Sequence, residues 1–150
     1  MDLLAPGSDA PGIDGVELGS EPRALFFYKV TCPVCQMAAP KAQAMEEAYP
    51  GTVVGIGEDP PDALAAFGEQ YGMALPSVTD EEPFPASDSY GISSVPTLFL
   101  VDVNGVIEDV VQSWDRQGFN RVSARLAELT GSPYVEISDA ADGLPSFRPG

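Results

Sequence analysis

Arg23-Ala24-Leu25-Phe26-Phe27-Tyr28-Lys29-Val30-Thr31-Cys32-Pro33-Val34-Cys35 is the stretch on which the fold turns. Residues 23–30 form a continuous apolar and aromatic run. The run does not alternate, which suits a strand covered on both faces of a sheet. After it, Ala, Met, Gln and Glu fill the chain to about Tyr49 and favour helix. Pro40 falls inside that helix and predicts a kink, and Pro50-Gly51 ends it. Cys32 and Cys35 therefore sit where a buried strand feeds a helix. At a helix N-terminus, unpaired N–H groups and the helix dipole favour a thiolate. Cys32 reads as the exposed, attacking thiol. Cys35, one turn inside, reads as the buried thiol that resolves a mixed disulfide. Pro33 lacks an N–H, and the first helical position needs none.

Working outward, Thr52–Gly57 reads as a second buried strand. Asp59 is a candidate cap for a helix that starts with proline, carries Leu64, Phe67 and Tyr71 on one face, and closes at Gly72. A short strand is expected at Ser77–Thr79 and a short helix near Ser87–Tyr90. Thr97–Val101 is a strand, Asn104-Gly105 a hairpin turn, and Val106–Gln112 the returning strand. Trp114 reads as a packing anchor. It precedes an amphipathic helix from about Arg116 to Leu129, with Phe119, Val122, Leu126 and Leu129 inward and Gly131 as its stop. The order is β-α-β-α-β-β-α. A strand–helix–strand unit implies a right-handed parallel crossover, and the hairpin adds antiparallel strands. The class is α/β, with a mixed central sheet and helices on both faces. Residues 1–131 form one domain, with residues 1–22 as an extended lead-in carrying a short strand near Val16–Leu18. Residues 132–150 lack periodicity and read as a C-terminal tail, partly docked or disordered.

Composition narrows the function. The chain has 150 residues, 7 basic and 23 acidic side chains, and a net charge of −16. A chain of this length buries roughly two-thirds of its unfolded surface, so it needs no disulfide staple. The acidic balance argues against nucleic acid and anionic lipid. No run approaches the ~18 apolar residues of a membrane span. There is no His, which removes Ser-His-Asp and Cys-His catalysis and every His-ligated metal site. A structural zinc site wants four ligands; with no third Cys, the pair would need carboxylates or a second chain. Two inert buried thiols are the other bland reading of the pair. The acidic start has none of the features of a signal peptide, so a cytoplasmic location is expected.

Phe26-Phe27-Tyr28 ahead of Cys32-Pro33-Val34-Cys35, Pro40 in the helix, and Val95-Pro96-Thr97 opening a late strand together resemble the thioredoxin superfamily over roughly residues 10–131. The resemblance implies a thioredoxin-like three-layer α/β/α sandwich. It implies that Pro96 is cis and lies against the disulfide. Val95 would expose its backbone to a substrate strand beside Cys32, and Thr31, Pro33, Val34, Val95 and Pro96 would line the substrate site. Within the superfamily the chain is similar to the TlpA/ResA-like redoxins. Ala10-Pro11 followed by Gly15-Val16-Glu17-Leu18, an insertion at about residues 59–92, and Glu58 after the second strand carry that likeness. By it, Glu58 lies near the cysteines and helps move their protons. From the residues alone, Glu58 reads equally as a solvated loop acid beside Asp59. Phe26 stands where ordinary thioredoxins place a buried Asp, and Thr31 stands where an aromatic usually precedes the first Cys. Lys29 reads as a solvated cation; close to Cys32 it would lower the thiol's pKa.

The expected activity is thiol–disulfide exchange by Cys32 and Cys35, in the direction of reduction. The substrate is a protein or small-molecule disulfide, an external thiol reductant restores the dithiol, and no metal or organic cofactor is implied. The chain is expected to be monomeric. The alternatives are a redox sensor or binding module without turnover, a zinc-bridged dimer, and a peroxiredoxin-like peroxide reductase. For the last, the register fails: Thr is required three residues before the reactive Cys, and Lys29 lies three before Cys32.

Overall fold

Strand β1 (Arg23–Tyr28) runs through the middle of the sheet, and Ala24 to Tyr28 are completely buried in the computed structural model, which describes residues 2–150. It is followed by α1 (Pro33–Ala48), β2 (Val53–Gly57), α2 (Pro61–Tyr71), β3 (Ser77–Thr79), α3 (Pro85–Tyr90), β4 (Thr97–Val101) and β5 (Ile107–Gln112). Then come β6 (Trp114–Asp115), α4 (Arg116–Thr130), a 3-10 turn at Ala140–Asp142, and β7 (Phe147–Arg148). The central sheet has the order β3-β2-β1-β4-β5. β1, β2 and β3 are parallel, whereas β4 and β5 run antiparallel.

Both faces of β1 are covered, which is why its sequence does not alternate. On one face Ala24, Phe26 and Tyr28 pack with Ala38, Met45, Phe119 and Leu126 in the core beneath α1, α2 and α4. On the other, Leu25 and Phe27 meet Tyr90 of α3 and Phe99, with Leu3, Leu4, Val16 and Leu18 of the lead-in packed around them. The result is a three-layer sandwich with a mixed sheet, as expected. Gly57 makes room at the end of β2: a Cβ there would run into Leu64 and lie 3.1 Å from the Tyr28 ring. Tyr28 thereby reaches across β2 and donates to Ser77 Oγ at 3.0 Å.

Four local expectations change. Val16–Leu18 forms no strand: Val16 makes only an isolated bridge to Ile13. Asp59 does not cap α2, whose N-cap is Pro60 without a side-chain bond; its carboxylate accepts the Val30 N–H at 2.9 Å. α3 begins at Pro85, where the buried Asp80 carboxylate accepts the N–H groups of Ala86 (2.8 Å) and Ser87 (2.7 Å). Leu129 is only half-buried.

The segment after α4 is docked along its length. Asn120 Oδ1 accepts from Ile137 N at 2.8 Å. Asp142 pairs with Lys41 (3.0 Å) and Arg116 (3.4 Å). β7 pairs antiparallel with β6. Trp114 is the anchor its position suggested: fully buried, 4.7 Å from the Phe119 ring, with Nε1 donating to Pro145 O at 2.7 Å.

Candidate dithiol active site

Cys32 is the N-cap of α1, with extended backbone angles (φ −84°, ψ 113°). An N-cap side chain normally offers an acceptor to the first free N–H groups. Here the sulfur does so, accepting the Cys35 N–H at 3.1 Å. The loop before it is held through Val30, whose N–H goes to Asp59 and whose carbonyl accepts Gln36 Nε2 at 3.0 Å. Because β1 and β4 are paired, with Phe27 opposite Thr97, the start of β4 arrives beside the cysteines. The Val95–Pro96 peptide is cis. The Cys32 thiol lies 3.5 Å from the Val95 carbonyl and donates to it when protonated.

The fold thus brings together Cys32, Cys35, Val95 and Pro96. Thr31 and Pro33 are exposed and form the rim of the site. Val34 departs from the expected groove lining: the turn of α1 points it inward, and it is 5% exposed. Both cysteines are free thiols, Cys32 half-buried and Cys35 fully buried.

Their proton affinities are pushed apart. The Cys32 thiol is lowered to about 6 by the hydrogen bond from the Cys35 thiol, then by the N–H groups of Cys35 and Val34 and the positive charge of Arg148, against partial burial. Cys35 is raised by burial first, then by its hydrogen bond to Cys32 and the negative charges of Cys32 and Glu58. At neutral pH these influences favour a thiolate at the half-buried Cys32 and a protonated thiol at the buried Cys35.

Glu58 follows β2 directly, and its N–H donates to Tyr28 O at 3.1 Å. It is half-buried and close enough to Cys35 for its charge to raise that thiol. Its own carboxyl is raised by burial, with Asp80 and Asp59 adding and the Ser87 hydroxyl and Lys29 opposing. This is not the setting of a solvated loop acid. Lys29 is exposed and acts on Glu58; the cation that acts on Cys32 is Arg148, which the sequence did not single out because it lies in a tail without periodicity. Among the described residues, no cluster of three or more Cys, Asp or Glu side chains is placed to hold a metal ion, and no helix is long and apolar enough to cross a membrane.

Residues 15–110 match the AhpC/TSA family. The chain belongs to that family. The thiol-disulfide oxidoreductase ResA of Geobacillus thermodenitrificans is 30% identical over 95 residues, which are 58% of this chain and 52% of that protein. The thioredoxin-like protein YneN of Bacillus subtilis is 26% identical over 92 residues, 57% of this chain and 53% of YneN. The chain spans about half the length of the curated relatives it matches. Among solved structures, MTB DsbF in mixed oxidised and reduced forms superposes with a TM-score of 0.63 at 27% identity, covering 75% of this chain and 83% of DsbF. The thioredoxin domain of a thiol-disulfide oxidoreductase from Bacteroides vulgatus gives 0.71 at 22% identity, over 82% of this chain and 99% of that one. The fold of this AhpC/TSA member is thioredoxin-like.

Proposed function

We propose that the protein is a thiol–disulfide oxidoreductase in which Cys32 and Cys35 reduce a substrate disulfide. The observation that carries this reading is the placement of two free thiols on one helical turn, with Cys32 as the N-cap of α1 beside the cis Val95–Pro96 peptide and the two proton affinities pushed apart. The names of the ResA relatives and of DsbF support it.

Cys32 thiolate attacks one sulfur of the substrate. A Cys32–substrate disulfide forms, and the other substrate sulfur leaves as a thiolate and takes a proton. Cys35 then loses its proton and attacks the Cys32 sulfur. The second substrate thiol leaves, having gained the remaining electrons and a proton, and the Cys32–Cys35 disulfide remains. Glu58, whose charge acts on Cys35, accepts the proton that Cys35 must lose; burial raises its carboxyl and so makes it a stronger base. Thr31 and Pro33 form the rim that meets the substrate, and Val95 and Pro96 form the opposite wall. An external thiol returns the pair to the dithiol. A monomer working in the cytoplasm is part of the same proposal.

The test is turnover of a disulfide with dithiothreitol as donor, together with the midpoint potential measured against thiol–disulfide buffers. Turnover is lost in Cys32→Ser, and Cys35→Ser accumulates the mixed disulfide. A potential near or below about −250 mV marks a reductant, and one above about −200 mV an oxidant or isomerase, which would also count against the cytoplasmic setting. A reversible disulfide without turnover would leave a redox sensor. Failure to form any reversible disulfide would sink the oxidoreductase reading.

A further inference from the structure

The segment Pro145–Gly150 supplies no reacting group to the exchange chemistry, yet it is built against the site. Trp114 Nε1 holds the Pro145 carbonyl at 2.7 Å, and Arg116 N holds the Ser146 carbonyl at 2.9 Å. Phe147 and Arg148 pair with Asp115 and Trp114. The N–H of Gly150 donates to Ser113 Oγ at 3.1 Å, and Ser113 N donates to Pro96 O at 2.8 Å. The strap therefore reaches the cis-proline loop. Contact there is close: a Cβ on Gly150 would run into the Val95 carbonyl oxygen and lie 3.1 Å from Pro96 Cδ. That same carbonyl is 3.5 Å from Cys32 Sγ.

An extended peptide binding beside a reactive thiol gains affinity by pairing its backbone with an open edge. Here the Val95 carbonyl, the edge nearest Cys32, is covered by residues of the chain itself. We infer that the strap Pro145–Gly150 is a specificity element: it admits small disulfides to Cys32 and requires extended peptide disulfides to displace it from Val95. This rests on the oxidoreductase reading. The strap also brings the Arg148 cation within reach of the Cys32 charge, in a molecule whose net charge is −16. Oxidised glutathione is a small disulfide that can reach Cys32 without pairing along the covered edge.

Two variants loosen the strap tip by different routes. Ser113→Gly removes the hydroxyl that holds Gly150, at a position whose φ of 70° glycine adopts without strain. Gly150→Ala drives the tip away from Val95. Two readouts are compared with the unaltered full chain. The first is kcat/KM for a disulfide-linked dimer of an extended cysteine peptide, relative to kcat/KM for oxidised glutathione. The second is the alkylation rate of Cys32 by a maleimide-bearing extended peptide, relative to iodoacetamide. Both ratios are expected to rise in both variants, roughly 2- to 12-fold, the range that one backbone hydrogen bond spans. Ratios unchanged in both variants, or falling, would overturn the inference. If the unaltered chain turns over neither disulfide, the oxidoreductase reading fails, and the alkylation ratio still decides whether the strap covers the edge.

Discussion

The hydrogen bond from the Cys35 thiol is the largest influence lowering Cys32, so Cys35→Ala is the informative perturbation. It removes the S–H donor and leaves the Cys35 N–H, at 3.1 Å, in place. A hydrogen bond to a charged group contributes about 1.5–3 kcal/mol, and one pKa unit corresponds to about 1.4 kcal/mol. Cys32 should therefore rise from about 6 by roughly 1–2 units. The assay is the iodoacetamide alkylation rate of reduced protein from pH 4 to 9, resolved by mass spectrometry to Cys32. The acid limb is where the effect is large. At pH 5 a thiol at about 6 is roughly 9% ionised, whereas one at the reference ~8.5 is about 0.03% ionised. The lower basicity of the Cys32 thiolate reduces its intrinsic nucleophilicity by about 13-fold. The net advantage over an ordinary thiol is about 20-fold at pH 5 and only about 2-fold at pH 7. A wild-type inflection at 8 or above would refute the reasoning. So would an inflection that Cys35→Ala leaves in place, because the charge would then be held by groups other than the partner thiol.

Three further outcomes follow from the same geometry. Glu58→Gln should slow attack of Cys35 on a preformed Cys32 mixed disulfide by on the order of 10² while leaving the Cys32 alkylation profile in place; a loss under about twofold would remove Glu58 from that step. Reduced protein should gain stability as pH rises from about 6 to about 8.5, because over that window the unfolded chain still carries a proton on Cys32 that the folded chain has released. Urea unfolding of reduced Cys32→Ser across the same window should lose that gain; an equal gain in the variant would place the linkage elsewhere. Asp80→Ala strands the buried N–H groups of Ala86 and Ser87 and should cost about 1–3 kcal/mol by denaturant unfolding, and a cost below about 0.5 would show that water replaces the carboxylate.

The central part of the fold was legible because its signals are local. The apolar run at Arg23–Tyr28 reads as a doubly covered strand without reference to anything outside it. Gly72 and Gly131 end α2 and α4 in the left-handed conformation that their helices' last turns invite. Where the reading failed, a distant partner had outbid a local preference. Asp59 has the chemistry of a cap, yet its carboxylate is taken by the Val30 N–H. Val16–Leu18 has strand-forming residues and no neighbouring edge to pair with beyond Ile13. The tail carries no hydrophobic period because polar side chains at irregular intervals, Asn120, Arg116 and Lys41, hold much of it.

The same division runs through the site. Sequence alone determined that two thiols stand one turn apart at the mouth of a helix, with proline in the first position, because a strand-to-helix junction is encoded by residues next to one another. Only tertiary structure decided what surrounds the sulfurs. Glu58 arrives from the end of β2, Val95 from the start of β4, and Arg148 and Gly150 from the far end of the chain, each carried there by sheet pairing and side-chain docking. A thiol's charge responds to every dipole and charge within a few ångströms, whatever their separation along the chain, and that proximity exists only once the layers have packed.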